Sequence, residues 1–363
     1  MTEQSFMLRV NCMTYNHAPF IEKAMDGFCM QKTSFPYICI ICDDFSTDGE
    51  QKVISNYLEL HFDVNDKEIV RCEETDDYVM TFARHKENKN CFFVVFLLKY
   101  NHYSIGKPKW PYYLEFAKNV NYIAICEGDD YWTDSLKLQK QFVFLESHLD
   151  YTMICNRTQL YSEKEQKYVG ENYCYDQSQT VEVQDVIFRG GLFISTCSII
   201  YRSGLTENYP DYCGKCKVGD YPLQILAAMK GKIYYFNDMM SVYRVQNNSS
   251  WTGYQNWKPK NYDNRLATIQ SIINMFKGFA EENPQYADFF QTKTYQYITG
   301  NIPSRRMKTA IQKKYYKEFK ESIKKFPFLW KFDSWIGFLG IPLLIKVRNF
   351  YYPRFNQKLK LYK

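Results

Sequence analysis

Two acidic segments indicate which fold to expect: Cys-Asp-Asp-Phe-Ser-Thr-Asp-Gly at 42–49 and Glu-Gly-Asp-Asp-Tyr-Trp at 127–132. Each follows a short apolar run, 37–42 and 122–126, that has the length of a strand. Continuous apolar runs are typical of strands that are buried on both faces, as in a parallel sheet covered by helices. Ligands of open α/β sheets bind beyond the carboxyl ends of the strands, so we expect both acidic segments in one crevice.

The remaining apolar patterns predict alternating strands and helices. Strands are expected at 8–14 and 91–100, and helices at 20–31, 50–62 and 110–118. The polar stretch 71–90 is expected to be an insertion or a loop. Beyond residue 254 the periodicity is helical, over 261–280, 284–299 and 304–325. The predicted fold class is therefore α/β, with a mixed sheet flanked by helices and an α-helical C-terminal extension.

Two groups of carboxylates in one crevice repel each other unless a cation or hydrogen-bond donors lie between them. Mg²⁺ or Mn²⁺ bound by one or two carboxylates and a diphosphate fits this need, and Asp129 and Asp130 are the candidate ligands. Asp44 is a candidate acceptor for a base or a ribose. The alternative for the first segment is that 46–48 only caps the helix that begins near Glu50.

Three segments, 12–21, 42–49 and 127–134, resemble the successive nucleotide-sugar motifs of family 2 glycosyltransferases with the GT-A fold. The first of them reads Cys-Met-Thr-Tyr-Asn-His-Ala-Pro-Phe-Ile, and the resemblance covers about residues 5–250. It implies a Rossmann-like nucleotide-sugar-binding sheet and a bacterial polysaccharide or glycolipid type of enzyme. Glu127 stands where the family more often has Asp, so its role stays open.

The resemblance also implies roles for individual residues. Asp44 would hold the base, and the pair Asp129 and Asp130 would handle the ribose and the metal. The other expected nucleotide-sugar contacts are Thr14, Tyr15, Asn16 and Ser46.

Downstream residues complete the expected site. Asp220 begins an apolar helix, so it suits an N-cap, and in similar glycosyltransferases a carboxylate here is the catalytic base. Ser195 and Thr196 lie in a predicted strand, 191–202, which lines the acceptor side in the family or is merely half-buried. Arg244 is expected to pair with the diphosphate or with a surface carboxylate. Trp251 is expected to stack on an acceptor sugar or to close an apolar patch.

The predicted function is metal-dependent, inverting transfer of a sugar from a nucleoside-diphosphate sugar, most commonly a UDP-sugar, to a hydroxyl of a glycan or glycolipid. Two alternatives stay open: a nucleotidyltransferase acting on a sugar phosphate, and a non-catalytic subunit that binds membrane or nucleic acid. The predicted domains are a catalytic domain at 1–253, a helical extension at 254–325 and a basic, aromatic tail at 326–363.

The net charge of +6 divides unevenly along the chain. Residues 303–363 carry 16 Lys and Arg against 3 Asp and Glu, and the rest carries 30 against 37. Basic and aromatic residues together favour an anionic membrane surface as the partner of the tail over nucleic acid. The longest uncharged stretch there, 334–345, has 12 residues, too few for a spanning helix of about 20.

The cysteines indicate the compartment. No secretory signal pattern begins the chain, so the 12 cysteines are expected to be reduced and the protein cytoplasmic, peripheral on the inner membrane face. Cys213 and Cys216 have the spacing of a zinc-ligand pair, but no second pair accompanies them. Reduced cysteines are therefore favoured there over a metal site.

Overall fold

The structure is a computed structural model that describes residues 5–66, 68–117, 119–245 and 262–301. The described residues form two compact units. The larger contains residues up to 214 and from 219 to 245, and the smaller contains 215–218 and 262–301. The domain boundaries predicted at 253 and 325 lie outside the described residues.

A 12-stranded mixed sheet forms the larger unit within the described residues. Its strands are β1 (Leu8–Thr14), β2 (Tyr37–Asp43), β3 (Arg71–Glu74), β4 (Tyr78–Arg84), β5 (Cys91–Leu98), β6 (Tyr122–Ile125), β7 (Tyr131–Trp132), β8 (Tyr151–Ser162), β9 (Lys167–Asn172), β10 (Gln179–Val181), β11 (Ile200–Arg202) and β12 (Lys232–Val245). The spatial order is β10-β12-β8-β11-β6-β1-β2-β5-β4-β3, with β7 beside β12 and β9 beside β8. The pairs β6–β1, β1–β2 and β2–β5 are parallel, as are β8 and β12.

Helices of this unit connect and cover the strands. They are α1 (Ile21–Cys29), α2 (Glu50–His61), α3 (His102–Ile105), α4 (Leu114–Ala117), α5 (Lys137–Ser147), α6 (Val183–Arg189), α7 (Asp211–Gly214) and α8 (Asp220–Lys230). The predicted α/β class, with a mixed sheet flanked by helices, is confirmed.

Burial explains the apolar run of β2. All seven residues of β2 are buried, and its side chains alternate between two hydrophobic clusters. Cys39 and Ile41 belong to the cluster under α1 and α2, whereas Ile38 and Ile40 belong to the cluster on the opposite face. A strand that is covered on both faces has no side exposed to water. Its sequence is therefore apolar at nearly every position rather than at every second one.

The structure differs from two sequence expectations. Residues 71–90 are expected to be an insertion or a loop; they contain the strands β3 and β4, because Met80 and Phe82 of β4 are buried against β5. Their charged neighbours lie on β3, an edge strand whose residues are all exposed. In the predicted strand 191–202 only β11 pairs as a strand, and 3-10 turns occupy 191–193 and 196–198.

The smaller unit contains α9 (Tyr262–Glu282) and α10 (Ala287–Asn301), joined by a 3-10 turn at 284–286. Phe276, Phe279 and Phe290 are fully buried between the two helices. The predicted helix 304–325 and the basic tail lie outside the described residues. Over the part of the chain that the structure describes, no helix combines the length and the apolarity needed to cross a bilayer.

Candidate functional site

The acidic segments lie at the carboxyl ends of β2 and β6, which pair in parallel with β1 on its two sides, as the sequence predicts. The backbone N–H of Asp44, after β2, donates to the carbonyl of Thr14 at the end of β1 over 3.0 Å. The N–H of Gly128, after β6, donates to the carbonyl of Met13 over 3.2 Å. The three motifs that carry the family resemblance therefore meet around the end of β1.

Thr14 and Glu50 form a buried hydrogen-bonded pair at the floor of this site. Thr14 is buried and donates its hydroxyl hydrogen to Oε1 of Glu50, which is also buried. Oε2 of Glu50 accepts from the backbone N–H of His17 over 2.7 Å and from the Ser46 hydroxyl over 2.8 Å. Burial raises the pKa of Glu50, while these three donors oppose that shift. Thr14, expected to line the nucleotide, joins β1 to α2 through these bonds.

Asn16 joins the first two motifs. Its backbone has a φ of 56°, a conformation that Asn tolerates better than most residues. Its N–H donates to Oγ of Ser46 over 2.8 Å, and its Oδ1 accepts from the N–H of Thr47. Tyr15 is different, because 42% of its surface is exposed. Among the four residues 14–16 and 46, Tyr15 thus presents the most accessible side chain.

Asp44 is buried and binds the segment that follows β5. Its carboxylate accepts from the backbone N–H groups of His102 and Tyr103 over 2.8 and 3.1 Å. Lys109 donates to Oδ2 of Asp44 over 2.7 Å, and this ion pair is mostly buried. Lys109 lies 65 residues from Asp44 in the chain, so no local sequence pattern indicates this ion pair. Asp44 therefore holds the segment 102–109 in position, at the place where the base of the nucleotide is expected to bind.

The loop 127–130 concentrates negative charge. Glu127 as a residue is exposed, but protein atoms around its carboxyl group desolvate it, and this desolvation, followed by the charges of Asp129 and Asp220, raises its pKa to about 8. Asp130 is 1% exposed, and its Oδ1 accepts from the N–H of Arg244 over 2.8 Å. Burial, followed by the charge of Asp129, raises the pKa of Asp130.

Tyr243 is a neighbour of this loop that sequence analysis missed. It lies on β12 and is half-buried. Burial and the charges of Asp130, Glu127 and Asp129 raise its pKa, so its hydroxyl stays protonated. No sequence signal distinguishes this tyrosine from the other residues of β12.

Arg244 holds the acidic loop from inside the fold. Its guanidinium lies between the rings of Phe20 and Tyr131, 4.8 and 4.7 Å from their centroids. Its Nε donates to Glu163 over 2.7 Å in a mostly buried ion pair, and its Nη1 donates to the carbonyl of Asp129. The contacts of Arg244 are therefore internal, rather than those of a surface ion pair.

Asp220 reaches the same region from α8. It is the first residue of the helix, with Gly219 as the N-cap, so the N-cap position expected for Asp220 is shifted by one residue. Its Oδ1 accepts from the N–H of Tyr221 over 2.8 Å, and the side chain is half-buried. Burial raises the pKa of Asp220. A β-carbon at Gly191 would come within 3.3 Å of its Oδ2, so Gly191 leaves room for the carboxylate.

The expected acceptor residues lie in different environments. Ser195 is buried, and its Oγ accepts from Nδ2 of Asn172 over 2.8 Å. Thr196, half-buried, begins the 3-10 turn that follows. Trp251 lies outside the described residues.

The acidic loop, 127–130, offers carboxylate oxygens to a divalent cation. Within the described ranges, no group of three or more His, Cys, Asp or Glu side chains is arranged to hold a metal ion by itself. Oδ2 of Asp130 is buried without a hydrogen-bond partner, and Asp129 lies beside it in the chain. One or two carboxylates with oxygens from a bound diphosphate are the usual donors for Mg²⁺ or Mn²⁺. Asp129 and Asp130 therefore fit a divalent cation whose other ligands are oxygens of a bound diphosphate.

Among the described residues, none of the 12 cysteines forms a disulfide bond. Cys213 is buried and Cys216 is half-buried.

Comparison with solved structures defines the class of fold. The chain superimposes on the crystal structure of residues 1–349 of TarS from S. aureus with a TM-score of 0.54 and 12% sequence identity, over 87% of this chain and 79% of that one. It therefore shares the mixed α/β fold of TarS. A crystal structure of the same TarS segment in complex with UDP-GlcNAc matches with a TM-score of 0.45 and 14% identity, over 80% of each chain.

Sequence comparison finds relatives that match about three quarters of the chain. An uncharacterized protein of Mycobacterium tuberculosis is 27% identical over 276 residues, which are 74% of this chain and 68% of the relative. An uncharacterized protein of Mycobacterium bovis matches to the same extent. No protein-family model matches the chain.

Proposed function

We propose that this protein is a glycosyltransferase that transfers a sugar from a nucleoside-diphosphate sugar to a hydroxyl group of a glycan or glycolipid. One observation carries the proposal: the three motifs meet at the end of β1, where the N–H of Asp44 donates to the Thr14 carbonyl over 3.0 Å and the N–H of Gly128 donates to the Met13 carbonyl over 3.2 Å. The acidic residues that follow β2 and β6 therefore lie around one strand end. Glycosyl transfer needs both a base for the acceptor and a place for the diphosphate.

Asp220 is the proposed base. It removes the proton from the acceptor hydroxyl as that oxygen attacks the anomeric carbon of the donor sugar, and a single displacement inverts the configuration. The raised pKa of Asp220 makes it a stronger base than an exposed aspartate. Its bond to the Tyr221 N–H holds the carboxylate in position, and the absence of a side chain at Gly191 leaves room for it.

Asp129 and Asp130 are the proposed residues for the metal. Asp129, the more exposed of the two, is the proposed direct ligand. Asp130 orders the loop by accepting the Arg244 N–H through Oδ1, and its buried Oδ2 is left to supply a second oxygen. When bound, Mg²⁺ or Mn²⁺ would neutralise charge on the departing diphosphate. Arg244 supports this end of the site through the carbonyl of Asp129.

The nucleotide is proposed to lie over the ends of β1 and β2. The exposed ring of Tyr15 is suited to stack on a base, and Asp44 with Lys109 supplies polar groups beside it. Asn16 and Ser46 order the loops around them. Ser195, Thr196 and Trp251 remain proposed for the acceptor side.

The C-terminal tail, 326–363, is proposed to bind an anionic membrane surface and to hold the catalytic domain, 1–253, near a lipid-linked acceptor at the inner face of the membrane. Its charge excess and aromatic residues support this. Flotation with anionic liposomes, with and without residues 326–363, tests it, and equal flotation of both proteins would contradict it.

A screen of nucleotide sugars with Mn²⁺ and Mg²⁺ tests the reaction. UDP-GlcNAc comes first because TarS has been crystallised with it. Release of a nucleoside diphosphate is expected, dependent on the metal and on Asp220. Release of pyrophosphate from a nucleoside triphosphate and a sugar phosphate would instead indicate a nucleotidyltransferase. Absence of turnover and of nucleotide binding would favour a non-catalytic subunit.

A further inference from the structure

His17 lies beside Asp129 at the centre of the candidate site. Its Nε2 is 3.8 Å from Oδ2 of Asp129, and both side chains are only 10% exposed. This separation exceeds the roughly 2.7–3.2 Å of a hydrogen bond between nitrogen and oxygen. It is shorter than two metal–ligand bonds of about 2.1 Å laid end to end, so one ion can contact both atoms.

The hydrogen-bond network behind His17 determines which ring nitrogen carries the proton. Thr14 has one hydroxyl hydrogen, and it donates that hydrogen to Glu50. Oγ1 of Thr14 lies 3.1 Å from Nδ1 of His17, so Thr14 can only accept in this second bond. Nδ1 therefore carries the hydrogen, and in the neutral ring Nε2 is left with a lone pair that faces Asp129.

The same arrangement is found around metal-bound histidines, whose second ring nitrogen donates to an oxygen that fixes the tautomer and the ring orientation. Glu50 also fixes the position of His17, because its Oε2 accepts the backbone N–H of that residue. Gly128 completes the packing, since it allows the acidic loop to approach Thr14.

From this geometry we infer that Nε2 of His17 and the carboxylate of Asp129 are both ligands of one divalent cation, whose remaining positions are filled by diphosphate oxygens and water. The inference rests on the proposed function, because the diphosphate is a part of the site. An imidazole ligand favours Mn²⁺ over Mg²⁺, which prefers oxygen alone.

Electron spin-echo spectroscopy of the full-length protein with Mn²⁺ and UDP tests the inference directly. A ¹⁴N coupling of a bound imidazole is expected in the wild type, and incorporation of ¹⁵N-histidine should convert it to a ¹⁵N coupling without any mutation. His17→Asn should lose the coupling and weaken Mn²⁺ affinity by at least about tenfold. Thr14→Val, which removes the oxygen behind Nδ1, should weaken Mn²⁺ affinity by about 10–100-fold.

His148→Gln is the matched control. His148 is the exposed C-cap residue of α5, and its Nδ1 is hydrogen-bonded to the Phe144 carbonyl. This variant should keep both the coupling and the affinity. Absence of nitrogen coupling in the wild type, or its persistence in His17→Asn, overturns the inference. Wild-type protein that releases UDP from a donor with Mn²⁺ but lacks the coupling would overturn this inference alone. Wild-type protein that neither binds Mn²⁺ with UDP nor turns over a donor would overturn the proposed function as well.

Discussion

Gly128 lies so close to Thr14 that a β-carbon built at residue 128 would come within 2.1 Å of the Thr14 hydroxyl oxygen and 2.7 Å of its Cβ. Thr14 is buried and bonded to Glu50, so it cannot move aside cheaply. The approach of the acidic loop to the end of β1 therefore depends on the absence of a side chain at residue 128.

Gly128→Ala should lower the free energy of unfolding by about 1–3 kcal/mol, the usual effect of forcing a methyl group into a packed site. Thermal denaturation should show a fall of about 2–4 °C in Tm for each kcal/mol. Gly219→Ala is the control, because its β-carbon would meet nothing within 4 Å and its φ of −94° suits any residue. Equal Tm values for both variants would contradict the packing argument.

Asp220→Asn should reduce transfer by about 10²–10⁴-fold, the typical contribution of a general base, while donor affinity changes little. The amide retains the acceptor for the Tyr221 N–H, so the helix start is preserved. Initial rates and donor titration measure the two effects separately. Asp176→Asn, at an exposed position, should behave as wild type. Retention of most transfer activity in Asp220→Asn would remove Asp220 from the mechanism.

Asp129→Asn and Asp130→Asn should separate a metal ligand from a residue that orders the loop. Asp129→Asn is expected to raise the Mn²⁺ concentration for half-maximal activity by more than about tenfold, since it removes a charged ligand. Asp130→Asn keeps an oxygen for the Arg244 N–H and should change the metal requirement less. Asp130→Ala leaves that N–H unpaired and should lower the free energy of unfolding by about 1–3 kcal/mol more. A larger metal effect at Asp130 than at Asp129 would reverse the assignment.

Arg244→Ala should destabilise the protein by about 3–5 kcal/mol, because it leaves Glu163 without its buried partner. Arg244→Lys should rescue little of this loss, since an ammonium places its donors on one nitrogen, whereas Arg244 uses Nε for Glu163 and Nη1 for the Asp129 carbonyl, and it has no plane to stack against Phe20 and Tyr131. Urea denaturation measures the loss. Full rescue of stability and donor binding by lysine would favour a simple charge contact with the diphosphate.

Glu127→Gln should change how stability depends on pH. Because the pKa of Glu127 is raised from 4.5 to about 8 in the folded protein, the folded state holds this proton more tightly than the unfolded state. Its contribution to stability is therefore present below about pH 4.5 and is lost as the pH rises through 8. With metal removed by EDTA, Glu127→Gln should have a higher Tm than wild type at pH 9 and a similar Tm at pH 4.5. Parallel Tm curves for the two proteins would contradict the shifted pKa.

By itself the sequence determined the class of fold and the edge of the sheet where the site lies. Apolar runs such as 37–42 specify strands buried on both faces, and the acidic residues that follow them must lie at the carboxyl ends. The strand pair 71–84 was missed because an exposed edge strand carries charges like those of a loop.

The tertiary structure alone decided what the individual polar residues contact. Whether Arg244 lies at the surface or between two rings, and whether Thr14 faces solvent or Glu50, depends on residues tens of positions away in the chain. The pairing of His17 with Asp129 has the same origin, since 112 positions separate them and only the meeting of β1 and β6 brings them together. Local sequence patterns report periodicity and turns, whereas hydrogen-bond partners and burial are properties of the packed chain.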